Sequence, residues 1–151
     1  GRPTRTGQIT NDRRLEDGLY DMDIKFFDDP LEQPRPREDV RIRQIGLFLY
    51  PDLRRLAFGI ELTPFTERPS IEVNITNGEG KPAGSLHVIE TMTPNFSLTM
   101  HLRDDTIANP YVLTAMLYYS WPEDRERIEV ERREVSFDVA QPGELLFKFD
   151  A

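Results

Sequence analysis

Taken two residues at a time, the chain from residue 39 onward alternates apolar and polar positions over most of its length. Val40 and Ile42 alternate with Arg41 and Arg43, and Ile45, Leu47 and Leu49 continue with the parity shifted by one. That shift predicts a strand with a β-bulge near Gln44. Pro51-Asp52 turns the chain into Leu56, Phe58, Ile60 and Leu62, and after a loop bracketed by Pro64 and Pro69 come Ile71, Val73 and Ile75, opposed by Glu72, Asn74 and Thr76. The turn-rich run Asn77 to Gly84 leads into Leu86 and Val88, the pattern of a hairpin.

Phe96, Leu98, Met100 and Leu102 form the next alternating set, with Ser97, Thr99, His101 and Arg103 opposite. Pro110 to Ser120 follows with Tyr111, Leu113, Ala115, Leu117 and Tyr119 on one face, and the reverse face carries Val112, Thr114, Met116 and Tyr118. The chain returns through Ile128 and Val130, slips parity near Arg132-Arg133, runs on as Val135, Phe137 and Val139, and ends on Leu145, Phe147 and Phe149. Ahead of this block, Tyr20, Met22, Ile24 and Phe26 alternate with Asp21, Asp23 and Lys25, and three prolines between Pro30 and Glu38 read as an extended linker.

No window shows helical i, i+3, i+4, i+7 spacing, and turn signals recur roughly every 8 to 12 residues, as in all-β sandwiches. The expected organisation is an N-terminal arm over 1–37, holding one strand (18–27) and the proline-rich linker, followed by a β-sandwich domain over 38–151. The block from Asp39 to Ala140 holds about seven strands, and with the flanks about seven to nine; in this it resembles an immunoglobulin-like or fibronectin-III-like antiparallel sandwich. Tyr111, near the start of the penultimate strand of that block, resembles a tyrosine-corner position. The disulfide and buried Trp of antibody domains are missing, and the resemblance implies architecture and no activity.

Composition narrows the classes of function. The chain of 151 residues has no cysteine and a formal net charge of -8, which excludes disulfides, thiolate nucleophiles and Cys-ligated metals, and argues against nucleic-acid binding. No apolar run is long enough for a transmembrane helix, so no membrane insertion is expected. The location is left unknown, a soluble cytoplasmic one being slightly favoured and an exported form left open because Gly1 is not an initiator Met.

Candidate chemistry is sparse. His87 and His101 would need to converge with a carboxylate such as Glu90 to act as catalyst or metal site, and two half-exposed polar strand residues is the simpler reading. No Gly-x-Ser-x-Gly, His-Glu-x-x-His or phosphate-binding glycine loop occurs. The acidic pairs Asp28-Asp29 and Asp104-Asp105 are the calcium candidates, because loops at one end of a sandwich can converge hard oxygens, as in C2-like domains; turn formation is the plainer explanation. Asn74-Ile75-Thr76 and Asn95-Phe96-Ser97 match the glycosylation sequon, but inside strands.

Partner-binding candidates are Val112, Met116, Tyr118, Tyr119 and Trp121. The aromatics could stack on a sugar, lectin-like, or anchor a protein, and the apolar reverse face of 112–118 needs a cover: residues 18 to 27, residues 145 to 149, or a second subunit. The function expected is therefore that of a non-enzymatic interaction or structural module without cofactor, whose partner is another protein or another copy of itself. Carbohydrate or calcium binding is the alternative.

Overall fold

The computed structural model describes residues 32–120 and 126–151. Their alternation is realised as eight strands: β1 (Ile42–Leu49), β2 (Arg55–Leu62), β3 (Ser70–Thr76), β4 (Pro82–Val88), β5 (Asn95–His101), β6 (Tyr111–Ser120), β7 (Arg127–Phe137) and β8 (Gly143–Lys148). A 3-10 turn, Arg37–Asp39, precedes β1. The strands form two four-stranded sheets, ordered β5-β2-β1-β8 and β4-β3-β6-β7, and every pairing between them is antiparallel. The protein is thus all-β, with the two sheets sharing one hydrophobic core. The strand expected over 18–27 lies outside the described residues.

Period-two spacing places the inward side chains in rows. In the first sheet Leu145, Leu47, Phe58 and Leu98 align across four strands, as do Phe147, Ile45, Ile60 and Phe96. In the second, Ile71, Val73 and Ile75 oppose Leu117, Ala115 and Leu113. Phe58, Ile60, Ile71 and Leu117 are fully buried. Each such side chain stabilises the fold by roughly 1.5–3 kcal/mol relative to remaining in water, which is why the alternation dictates both pairing and register.

The bulge expected near Gln44 is present: the β1–β2 register shifts between Ile42 and Gln44, leaving Arg43 as the extra residue. The slip expected at Arg132-Arg133 is displaced. The β6–β7 register shifts between Leu117 and Tyr118, whose partners are Glu131 and Glu129, so Val130 is the unpaired residue. Glu131 and Arg133 instead keep the inward parity of Val135 and Phe137. Inward charge on an edge strand is a device against edge-to-edge association, and a count of apolar residues alone reads it as a change of phase.

The tail also takes a different place from one of those considered for it. β8 pairs with β1 at the edge of the first sheet, so residues 145 to 149 do not cover the reverse face of β6, which belongs to the second sheet.

Candidate functional site

Side chains of its own sheet lie over part of the reverse face of β6. Val112, Thr114 and Met116 are half-buried and Tyr118 is 3% exposed. Arg127 at the start of β7 lies over the Tyr118 ring, 4.3 Å from its centroid, and also pairs with Glu72 on β3. His87 on β4 hydrogen-bonds the Tyr118 hydroxyl through Nε2. Arg132 reaches Met116 Sδ at 3.5 Å while holding Glu129. The long stems of these residues screen apolar surface while their charges stay in water. The Arg127 guanidinium holds the Glu72 carboxyl below the usual range. Tyr118 and Met116 are thus screened in part by their own sheet, while Val112 is half-buried.

Tyr118 and Tyr119 point to opposite faces of β6 and do not form one stacking platform. Tyr119 is 5% exposed, and its hydroxyl donates to the Glu67 carbonyl at 2.8 Å. Burial, with the Glu67 charge adding to it, pushes this hydroxyl up to about 12. Trp121 lies outside the described residues. The two histidines are not brought together either: the His101 carbonyl lies level with Gly84, whereas His87 is three residues further along β4 and engaged with Tyr118. Glu90 sits in the β4–β5 loop with a left-handed φ of 49°.

At one end of the sandwich the β1–β2, β3–β4 and β5–β6 loops converge. Asp104 is their hub, accepting from the Tyr111 hydroxyl at 2.8 Å and from Asn77 Nδ2 at 3.2 and 3.3 Å. Arg54 donates to the carbonyls of Asp104 and Asp105 at 2.8 and 3.0 Å. Asp52 caps its own turn, accepting from the Arg54 and Arg55 backbone N–H groups at 2.9 and 3.0 Å; those bonds lower its carboxyl to about 2. So the loops do meet as the calcium reading requires, but the Asp104 carboxylate is engaged by protein donors and the exposed Arg54 guanidinium sits on the Asp104 and Asp105 carbonyls. Among the described residues no three His, Cys, Asp or Glu side chains are grouped to hold a metal ion. Asp28 and Asp29 lie outside the described residues.

A surface the sequence pattern did not single out runs along the side where β7 and β8, the edges of opposite sheets, face each other. Towards the loop end a groove of about 490 Å³ opens there, lined by Leu47, Leu49, Leu56, Phe137, Leu145 and Phe147, with Asp138 and Glu144 also lining it. Leu145 and Leu146 are 40% and 49% exposed. At the other end Glu131 and Arg133 close the side: they pair at 3.0 Å, Arg133 stacks 4.6 Å from the Phe149 ring centroid, and Glu131 Oε1 accepts the Ile42 N–H at 2.6 Å. The signal available in sequence was Leu145-Leu146 on a short last strand, an apolar pair that alternation alone assigns half to the core.

Comparison with known family models, curated proteins and solved structures finds no match to this chain. Among the described residues no helix is long and apolar enough to cross a membrane.

Proposed function

We propose that this chain is a non-enzymatic interaction module of immunoglobulin-like or fibronectin-III-like architecture that takes up an extended segment of a protein partner by strand addition at β8. The observation that carries the reading is the outer edge of β8, which no other strand among the described residues pairs, beside an apolar groove. The strand has no proline, carries exposed Leu145 and Leu146, and faces the groove formed with Phe137 and Phe147. A free edge supplies backbone donors and acceptors to an added strand, and the groove accepts its alternate side chains. Asp138 and Glu144 at the groove, on a chain of net charge -8, favour a segment with apolar positions flanked by Lys or Arg.

The architecture is supported by strand order and by Tyr111. β1, β2 and β5 lie together in one sheet, and β3, β4, β6 and β7 in the other. Tyr111 opens β6 and accepts the Ala108 N–H, three residues upstream, at 3.1 Å, the back-bond of a tyrosine corner. Among the described residues, calcium and carbohydrate binding have less to rest on, since Asp104 is engaged by protein donors and Tyr118 and Tyr119 face apart.

Selection of random 12-residue peptides on the folded protein, with affinities of the selected peptides read by fluorescence anisotropy, tests the reading. Selected peptides are expected to alternate apolar residues with basic flanks and to lose binding to Leu145→Asp but not to Leu98→Asp, at the opposite edge. No enrichment, together with a monomeric mass by light scattering at all concentrations, would overturn it.

A further inference from the structure

The outer edge of β8 is complementary to itself. Phe149 donates its N–H to the Arg43 carbonyl at 2.8 Å, so the backbone groups of Leu145 and Phe147, which share its parity, turn to β1. Those of Glu144, Leu146 and Lys148 turn the other way, to the side that no strand among the described residues pairs. The edge thus offers donors and acceptors at three residues, with Leu146 in the middle. The side chains of these three lie on the outer face of the sheet, level with Phe48, Gly46 and Gln44 of β1. Glu144 and Lys148 are exposed, and among the described residues neither has an ion-pair partner. Leu146 is 49% exposed, so an acid, an apolar residue and a base alternate along the edge.

We infer that β8 pairs with β8 of a second copy of this chain, antiparallel about a two-fold axis through Leu146, joining two four-stranded sheets into one of eight strands. In that register Glu144 stands opposite the partner's Lys148 and Lys148 opposite the partner's Glu144. Leu146 meets its own counterpart, and Leu145 lies beside the partner's Phe147 over the groove. Every residue matched at 144, 146 and 148 has its backbone groups pointing out of the edge, so the ladder forms without a mismatch. A one-residue slip sets those groups against ones already bonded to β1. Shifts that keep the hydrogen-bond parity fail on charge or on proline. Centring on Glu144 or on Lys148 sets like charges opposite each other, which destabilises a pair of strands. Centring on Phe147 sets Glu144 against Asp150, and centring on Leu145 sets Lys148 against Pro142, which has no N–H. A lysine on an edge ordinarily discourages pairing; here Glu144 of the same strand answers it across a self-complementary interface. The inference rests on β8 being a pairing edge, as proposed above, and names its occupant. An edge of six residues makes a small interface, so the dimer is weak and concentration-dependent.

Charge reversal on the full-length protein, read by light scattering, is the test. The mass of the parent should rise with concentration from 17.6 kDa towards twice that value, over a range reaching about 1 mM. Glu144→Lys alone and Lys148→Glu alone each set two pairs of like charges face to face and should weaken the dimer about tenfold. An equimolar mixture of those two variants, and the variant carrying both substitutions, bring opposite charges together again and should regain the parent's dimer. That recovery also shows that the single variants fold. A parent of 17.6 kDa at every concentration, or a dimer indifferent to both single reversals, would overturn the inference. If selected peptides still bind such a monomer and lose binding to Leu145→Asp, strand addition at β8 stands and only the second copy is excluded as its occupant; if they do not bind, both readings fall.

Discussion

The Tyr111 hydroxyl donates to Asp104 Oδ2 at 2.8 Å while accepting the Ala108 N–H at 3.1 Å, and through Asp104 it holds Asn77 of the β3–β4 loop. One phenol thereby joins the buried start of β6 to two loops at the same end of the sandwich. Replacing it by Tyr111→Phe keeps the ring stacked on Phe137, 5.8 Å away between centroids, but leaves the Ala108 N–H and one carboxylate oxygen without that partner. The expected cost is about 1–3 kcal/mol in chemical denaturation. Asp104→Asn, which keeps an acceptor, should cost less, and the double variant should be less destabilised than the sum of the two singles. Strict additivity would show that the two groups do not act together.

Tyr119 gives the fold an alkaline limit. Its hydroxyl is pushed up to about 12 chiefly by burial, whereas an unfolded tyrosine ionises near about 10. The folded state therefore favours the proton. Its contribution is complete below the unfolded value and is lost as pH rises from about 10 towards about 12, because the unfolded chain then gains by ionising first. Denaturation midpoints measured across that window should fall more steeply for the parent than for Tyr119→Phe. Parallel curves would sink the assignment.

How much of this was legible in the sequence depended on which property each residue expresses. Val73, Leu113 and Phe58 announce themselves because burial of an inward strand position demands an apolar side chain. The bulge at Arg43 was legible for the same reason, since it moves that demand by one residue. Glu131 and Arg133 were misread because inward charge serves a sheet edge, and which strand forms an edge is settled by pairing over long sequence separations. Tyr118 and Met116 looked uncovered because their screen comes from Arg127, Glu72, His87 and Arg132, residues on three strands whose neighbourhood no local pattern states. The facing of Gly46 and Gly59 was invisible for a related reason: each glycine alone is weak evidence, and only the register places them opposite one another.

Gly78 carries a steric requirement that its neighbours do not. A Cβ there would lie 2.3 Å from the Asn109 carbonyl oxygen, whereas one at Gly84 would meet the His101 carbonyl oxygen at 3.4 Å. Gly78 N also donates to the Ala108 carbonyl at 2.6 Å. Gly78→Ala must push the β3–β4 and β5–β6 loops apart and is expected to destabilise by about 1–3 kcal/mol, in the range of overpacking. Gly84→Ala should cost less than about 1 kcal/mol, or stabilise slightly by restricting the unfolded chain. Equal losses for the two in thermal denaturation would contradict the close approach of the loops.

Glu131 and Arg133 are expected to guard the open side between β7 and β8. Their inward parity continues the row of Phe137 and Val135, so Glu131→Leu with Arg133→Leu would make that row apolar from end to end. The variant loses the acceptor for the Ile42 N–H, a cost of about 1–3 kcal/mol. More diagnostic is what happens to the edge: without inward charge it resembles the long apolar edges that pair between molecules. Sedimentation should show self-association of the double variant under conditions where the parent does not associate. Adding Leu145→Asp, which places a charge at the other end of the same side, should reverse it. If the double variant sediments as the parent does at equal concentration, the pair serves only to satisfy Ile42 and to cover Phe149.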